Sequence, residues 1–284
     1  MRRNNGKKIR KTIGFVALTF CSLAAGLGLF WLIFILGDVL RQGFRALNVA
    51  LFFQDPFPPG EEGGGLRHAF VGQLLITSTA VLIALPIGIL GGTYLAEYGR
   101  GKRISHFLSI LTDTFVSIPS IIVGTFIYAL CVKPLGHFSA WAGSLALAII
   151  MVPIISRTTE TMLSLVPWTM REAAFALGAP YYKVIVQVVY RGALRGIFTG
   201  TLLSLARVAG ETAPLLFTSF NNSFFSLKMG EAMASLTVSI YQYALGPYSD
   251  WHDKAWAASL IITATVLLLT IIGKIVLPGG KSKR

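Results

Sequence analysis

Residues 70–98 read FVGQLLITSTAVLIALPIGILGGTYLAEY, an apolar stretch whose one charged residue, Glu97, stands next to its end. The hydrocarbon core of a bilayer is about 30 Å thick, and a helix that rises about 1.5 Å per residue crosses it with roughly 20 residues. This stretch is therefore long enough to cross a membrane as a single helix. It sets the expected fold class, because a helix that is apolar on all sides is typical of a membrane span.

The rest of the chain has the same apolar character. Hydrophobic residues make up 54% of the 284 residues and charged residues 13%, whereas a soluble domain carries about 25% charged residues. We predict an all-α polytopic membrane protein with six spans, at residues 13–36, 70–98, 107–132, 141–155, 196–217 and 255–276. The first is interpreted as a retained span, because it is longer than the apolar region of a signal peptide and no small-residue cleavage site follows it.

The basic residues are concentrated in alternate connecting segments. Six lie in the arm at residues 1–12, three at 99–106, five at 157–195 and four from residue 274 to the end. Because they lie between apolar runs, the net charge of +13 indicates membrane topology and no nucleic-acid partner. Lys and Arg are retained on the cytoplasmic side, so both termini are predicted to be cytoplasmic. We expect a basic cytoplasmic arm at residues 1–12 and a single transmembrane domain at residues 13–284.

No segment carries a catalytic or metal-binding pattern. The four histidines are scattered without ligand spacing, and neither HExxH nor GxSxG occurs. Cys21 and Cys131 lie in apolar stretches without CxxC spacing, which favours a packing role over redox or metal chemistry. The sequence Gly280-Lys281-Ser282 lacks the leading glycine and the following helix of a phosphate loop. We predict a non-catalytic chain with no metal and no cofactor of its own, so that any ATP would be bound by another chain.

The basic segment at residues 157–195 contains a short predicted helix. Pro167 suits the first helical position, and Gly178 followed by Pro180 is a stop signal. Between them, Trp168–Leu177 consists mostly of good helix formers, and two adjacent alanines give the helix a face that a neighbouring chain could approach closely. A helix of this kind is typical of a segment that docks in a protein groove.

The sequence Glu172-Ala173-Ala174, followed after three residues by Gly178, resembles the EAA loop of ATP-binding-cassette (ABC) importer permeases. In that family the short helix docks in a cleft of the cytoplasmic ATPase. The resemblance implies the six-span fold of the type I importer permeases, and it assigns ATPase coupling to Glu172, Ala173, Ala174 and Gly178. The coupling loop would occupy about residues 157–195 of a single permease domain.

Further blocks of sequence extend this similarity. They are Gly63–Leu66, Tyr94–Tyr98, Ser117–Ile121, Leu165–Pro167 with Arg171–Ala174, and Ala206–Phe217. Over nearly its whole length the chain thus resembles the PstA type of phosphate permease, which implies an ATP-driven phosphate importer of the bacterial cytoplasmic (inner) membrane. The implied partners are a homologous PstC-like permease subunit, PstB-like ATPase subunits, a PstS-like extracytoplasmic phosphate-binding protein, phosphate and membrane lipid.

The predicted fifth span carries two opposite charges. Arg207 lies about 18 Å along the helix from Arg195 and hence near the bilayer midplane, where a charged side chain costs about 2.5 to 3.5 kcal/mol. The spacing i, i+3, i+4 and i+7 would place four residues on one helical face: Arg207, Gly210, Glu211 and Pro214. Pro214 cannot donate to the carbonyl of Gly210, and broken helices at the midplane are a recurring way of forming substrate sites in transporters.

These four residues are predicted to form part of the substrate pathway. An arginine fork suits a tetrahedral oxyanion, and Glu211 would accept a hydrogen bond from a protonated oxygen. Phosphate near neutral pH carries such a proton and sulfate does not, so the carboxylate favours phosphate. The alternative is that Arg207 and Glu211 only neutralise one another along the helix, which would make the pair structural.

Other functions remain open from the sequence. One is an ABC permease for another oxyanion, such as sulfate or molybdate, which the identity of the binding protein would distinguish. Another is an integral membrane enzyme that acts on lipid phosphate, which the absence of a paired catalytic set disfavours. A secondary transporter would not need a helix that docks an ATPase.

Overall fold

The computed structural model describes the backbone of residues 2–99 and 101–276, and the side chains of residues 13–99 and 101–275. Some residues used for the topology prediction lie outside the described residues. These are Arg100, the side chains of the N-terminal arm at residues 1–12, and the tail at residues 277–284, which includes Gly280-Lys281-Ser282.

The described chain consists of helices, without a β-strand. The α-helices are α1 (Arg2–Ala46), α2 (Ala50–Phe53), α3 (Arg67–Thr93), α4 (Arg103–Ser117), α5 (Ser120–Ile127), α6 (Lys133–Leu135), α7 (Ala140–Ser164), α8 (Trp168–Ala176), α9 (Tyr181–Val184), α10 (Tyr190–Ala209), α11 (Ala213–Thr218), α12 (Leu236–Ala244) and α13 (Ser249–Val276). Three π-helical turns continue α3, α5 and α9, at Tyr94–Tyr98, Tyr128–Val132 and Ile185–Val189.

Four helices in the described part of the chain are long and apolar enough to span a membrane: Ile13–Ala46, Arg67–Tyr98, Ala140–Ser164 and Ser249–Ile275. They coincide with the first, second, fourth and sixth predicted spans. The prediction of 141–155 ended too early, because the polar residues from Ser156 to Ser164 continue the same helix. The all-α membrane fold is thus confirmed, whereas the count of six spans stays a prediction.

The predicted span at residues 107–132 is not one straight helix. α4 and the helical stretch Ser120–Leu135, which begins with α5, are bent by 102° relative to each other, as in a broken span or a re-entrant loop. Pro119 has no N–H to donate, and the residue before a proline is driven out of the helical region. Ile118 accordingly has an extended conformation, with ψ 129°. The prediction of a continuous helix was wrong here, because Ile118-Pro119 ends α4.

The predicted span at residues 196–217 is divided as well. α10 ends at Ala209, and α11 begins at Ala213. α10 carries three arginines and is not among the described helices that are apolar enough to be recognised as spans. The division therefore separates a charged helix from a short apolar one.

α7 lies at the centre of the fold, and small residues bring other helices close to it. A Cβ atom added to Gly88 of α3 would lie 2.7 Å from the Cβ of Ile155. On another side, a Cβ added to Gly196 or Gly200 of α10 would overlap the side chains of Met162 and Thr158. Such contacts between small residues and a neighbouring helix are the usual basis of packing within membranes.

α1 contributes little to this core. Its C-terminal part contacts α13, where Gly43 lies directly against Leu260. None of the most apolar 18-residue window of the span Ile13–Ala46 is buried. Residues 13–37 of α1 therefore present apolar surface to their surroundings.

The charge alternation predicts that residue 61 faces outside and residue 102 faces the cytoplasm. In a background with Cys21→Ser and Cys131→Ser, Glu61→Cys should react with a membrane-impermeant thiol reagent added to intact cells. Lys102→Cys should react only after the membrane is permeabilised. Both positions are exposed in the fold, so a difference in labelling reports the side of the membrane. Reversed labelling would overturn the orientation.

Candidate functional site

The break between α10 and α11 places the predicted pathway residues on two helices. The last turn of α10 is closed by hydrogen bonds from Gly210 N–H to the Arg207 carbonyl (3.3 Å) and from Glu211 N–H to the Val208 carbonyl (3.1 Å). Pro214 lies in the first turn of α11, where its missing N–H is not needed. The prediction that the four pathway residues share one helical face is therefore wrong, because the helix ends before Pro214.

Side chains from distant elements satisfy the backbone at this break. Gln73 of α3 donates its Nε2 to the Ala209 carbonyl oxygen (3.2 Å), and its Oε1 accepts from the N–H of Leu236 (3.1 Å). Thr237 of α12 donates its hydroxyl to the Glu211 carbonyl oxygen (2.9 Å). The end of a helix leaves carbonyl groups without intrahelical partners, and these bonds supply them. A glutamine within the apolar stretch at residues 70–98 was the one sequence signal for this arrangement.

The charged side chains at the break are unpaired in the described part of the chain. Arg207 is exposed and Glu211 is half-buried, and no hydrogen bond or ion pair joins them to one another or to other described side chains. Arg207 borders a narrow crevice whose other lining residues come from the α4–α5 bend and α7: Phe115, Val116, Ile118, Ser120, Ile150 and Ile154. The conformation described is therefore not the mutually neutralised pair of the structural alternative. Instead, a guanidinium and a carboxylate remain available to an oxyanion with a proton.

The other two predicted pathway residues have different surroundings. A Cβ added to Gly210 would meet only the Arg207 carbonyl oxygen, at 3.8 Å, so this position borders open space. Pro214 is buried, and a Cβ added to Gly124 of α5 would lie 2.6 Å from its Cα. Pro214 thus fixes the contact between α5 and α11, the helices that follow the two breaks. It positions the site and does not line it.

A second, larger cavity lies elsewhere and has different chemistry. It encloses about 640 Å³ between α3, α4, α5 and α7. Apart from the hydroxyl groups of Thr112 and Ser156, the side chains that line it are apolar. An oxyanion would find no charged partner there. The described residues also contain no group of three or more His, Cys, Asp or Glu that could hold a metal ion.

The predicted coupling helix is present as α8. It ends at Ala176, and Gly178 follows with φ +78°, which confirms the predicted stop. Pro167 has ψ 139° and lies at the N-cap, one position before the first helical residue. The prediction that Pro167 is the first helical residue was therefore wrong by one position. Of the predicted coupling residues, Glu172, Ala173 and Gly178 are exposed and Ala174 is half-buried.

The sequence did not predict that two further charged residues of this region pair with each other. Arg171 of α8 and Glu97 at the end of α3 form an ion pair at 2.7 Å, with both side chains buried. Glu97 stands next to the end of the apolar stretch at residues 70–98, where the sequence gives no sign of its partner. The two residues are separated by 74 positions, so only the fold brings them together.

The similarity of the chain to known proteins extends over nearly its whole length. A family model described as "Binding-protein-dependent transport system inner membrane component" matches residues 84–278. The phosphate transport system permease protein PstA of Pasteurella multocida is 48% identical over 274 residues, which cover 96% of this chain and 97% of that protein. The PstA of Haemophilus influenzae is 47% identical over 94% of each chain. PstA 1 of Mycobacterium tuberculosis (strain H37Rv) is 36% identical over 91% of this chain and 86% of that protein.

Solved structures of type I ABC importer permeases have the same fold. A chain of the inward-facing MetNI methionine ABC transporter superimposes with a TM-score of 0.58 at 22% identity, covering 74% of this chain and 94% of that one. A chain of an amino acid ABC transporter crystallised with histidines gives 0.56 at 17% identity, covering 73% and 90%. At these identities the likeness concerns the fold alone.

The contacts of Gln73 predict a measurable loss of stability when they are removed. Gln73→Leu leaves the Ala209 carbonyl and the Leu236 N–H without partners, which should lower the free energy of unfolding by about 1 to 3 kcal/mol. The matched control is Ser78→Ala on the same helix, whose exposed hydroxyl bonds only to the Leu74 carbonyl; it should change stability by less than about 0.5 kcal/mol. Reversible unfolding in mixed micelles gives both values. Equal stability of the two variants would contradict the role assigned to Gln73.

Proposed function

The chain belongs to the family of binding-protein-dependent transport system inner membrane components, and within it to the PstA-type permeases, and we propose that it forms part of the path of phosphate through an ATP-driven importer. It is a multi-pass membrane protein and a permease subunit, and is not itself an enzyme. The observation that carries the proposal is the near-full-length similarity to phosphate permeases, which includes both the coupling helix and the broken helix with Arg207.

The family implies an ATPase and a substrate-binding protein as partners. We propose the finer assignment of a homologous PstC-like permease subunit that completes the pathway, PstB-like ATPase subunits that bind the ATP, and a PstS-like protein that delivers phosphate from outside. The bacterial cytoplasmic membrane is the corresponding location. Alternating access would then expose the Arg207 region to the two sides of the membrane in turn.

In this proposal the break between α10 and α11 is the place where the anion passes. The guanidinium of Arg207 presents a planar pair of donors to phosphate oxygens, and the Glu211 carboxylate accepts the proton of the phosphate. Gly210 leaves the space between them open, and Pro214 holds α11 against α5. The unpaired state of both charged side chains supports this role, since a charge near the midplane otherwise usually has a partner.

The coupling role is proposed for the exposed side of α8. Glu172 and Ala173 are exposed and Ala174 is half-buried, and the turn that follows leaves Leu177 89% exposed. A helix that exposes small and apolar residues in this way suits a cleft in a partner protein. Gly178 fixes the direction in which the chain leaves that cleft.

Gly178→Val should uncouple the permease from its ATPase without preventing membrane insertion. A β-carbon at positive φ costs about 1 to 2 kcal/mol, which would alter the end of α8. The matched control is Gly136→Val, because Gly136 also follows a helix with positive φ, at +75°, and also borders open space. We expect lower yield of the complex with the ATPase and lower phosphate uptake for Gly178→Val only. Equal yield of the complex and equal phosphate uptake for both variants would contradict the proposal that α8 docks on the ATPase.

Arg207 and Glu211 are tested by single and double variants of the assembled transporter. Arg207→Ala should abolish phosphate uptake into proteoliposomes while the complex still assembles, and Arg207→Lys should restore little, because a lysine lacks the bidentate fork. Glu211→Gln should lower uptake, because it removes the carboxylate that accepts the phosphate proton. Arg195→Ala, on the same helix outside the break, is the control and should leave uptake nearly unchanged.

The structural alternative gives the opposite pattern. If the two charges only neutralise one another during the cycle, Arg207→Ala should impair assembly, and Arg207→Ala with Glu211→Ala should regain both assembly and uptake. Recovery of uptake in the double variant would end the substrate-site proposal.

A further inference from the structure

A buried ion pair joins α8 to the end of α3. Nη2 of Arg171 donates to Oε1 of Glu97 at 2.7 Å, and the two side chains are 3% and 1% exposed. Within α8, all of which is described, Arg171 is the one buried residue. The attachment of the coupling helix to the transmembrane helices therefore depends on this charged side chain, together with the half-buried Ala174, which packs against the apolar cluster that includes Leu163 and Val184.

The same guanidinium holds the end of α7. Nη1 of Arg171 donates to the carbonyl oxygen of Val166 (3.0 Å), and Nη2 donates to that of Leu163 (2.9 Å). The Leu163 carbonyl lies in the last turn of α7 and that of Val166 two residues after the helix ends, a region where carbonyls lack intrahelical donors and a positive charge is favourable. Trp168 lies beside the guanidinium, with its ring centroid 5.4 Å from Cζ. One side chain thus connects α8 to both α3 and α7.

Glu97 receives a second donor from the far side of the coupling turn. Tyr181, the first residue of α9, donates its hydroxyl to the carbonyl oxygen of Glu97 (3.0 Å) and lies 3.2 Å from its Oε2. Partial burial raises the pKa of Tyr181, and the neighbouring Glu97 charge raises it further, so the hydroxyl remains a donor at neutral pH. Glu97 itself lies in the π-helical turn Tyr94–Tyr98, and such turns occur frequently at functional sites.

We infer that the Glu97–Arg171 pair transmits the displacement of α8 to α3 and α7 during transport, an inference that rests on the coupling role proposed for α8. Separating a buried ion pair leaves uncompensated charges away from water, so the pair resists separation. When the ATPase displaces α8, the ends of α3 and α7 move with it. α3 also carries Gln73, which bonds to the break beside Arg207, so the connection continues to the proposed anion site. Glu97 and Arg171 are positioning residues and do not contact phosphate.

The decisive variant replaces both charges by apolar side chains of similar length, Glu97→Met with Arg171→Met. Replacing both members of a buried pair is often neutral for stability. The Val166 carbonyl also loses its donor, at about 1 to 3 kcal/mol, but the Leu163 carbonyl keeps the Val166 N–H, so the complete transporter should still assemble. In proteoliposomes, phosphate taken up per ATP hydrolysed should fall by about 5-fold or more, the factor at the weak end of coupling between two binding sites. Tyr181→Phe, which removes one hydrogen bond to Glu97 and keeps the ring, should lower this ratio by a smaller factor. The control is Lys228→Met with Glu231→Met, an exposed pair at 3.0 Å that should leave the ratio unchanged.

A second measurement does not depend on phosphate. Spin labels at Thr169 of α8 and Lys102 after α3, both exposed positions, should give a narrow distance distribution in the parent complex and a broad one in the double Met variant. An unchanged uptake-to-hydrolysis ratio with unchanged distances would overturn the inference, and so would a loss of assembly with the ratio preserved in Tyr181→Phe. If the parent complex hydrolyses ATP but imports no phosphate, the proposed function fails, and the distance measurement alone then decides the role of the pair.

Discussion

A peptide group removed from water has to be hydrogen-bonded, and this constraint governs how the chain interrupts a helix in its interior. Leaving such a group unpaired costs several kcal/mol in a hydrocarbon environment. A few unpaired groups would together cost about as much as the whole free energy of unfolding of a typical protein. The break after Ala209 is possible because Gln73 and Thr237 supply bonds that the helix no longer provides. The open geometry around Arg207 is thus a consequence of side chains that bond to the backbone at the break and not to the charged groups of Arg207 and Glu211.

The fold distributes its charges between two kinds of surroundings. Arg207 and Glu211 are accessible and unpaired in the described chain, whereas Glu97 and Arg171 are buried and paired at 2.7 Å. The first arrangement leaves binding capacity for a ligand, and the second holds helices together. Charged residues in apolar segments therefore cannot be assigned from their depth alone; their partners decide whether they bind or connect.

The features that depend on local chemistry could be predicted from the sequence. Long apolar runs identified α1, α3, α7 and α13, and the glycine after α8 was recognised because few other residues adopt φ near +78°. Pro119 was also a local signal for the bend, but the apolar residues on both sides of it were interpreted as one span. By contrast, Gln73 meets partners 136 and 163 positions away. No pattern of local spacing encodes such pairs, so the support of the site became visible only in the fold.

The exposure of α1 has a consequence for the evolution of the chain. A residue in the packed interior is constrained by the shape of its neighbours, whereas residues 13–37 of α1 are exposed in the described chain and are hardly constrained by packing within it. Packing within this chain therefore leaves the apolar side chains of that stretch interchangeable, but it does not allow a side chain at Gly43, where a Cβ would lie 2.5 Å from the Cβ of Leu260. Sequence change along residues 13–37 is therefore limited by lipid and by any partner subunit, and at Gly43 by the fold of the chain itself.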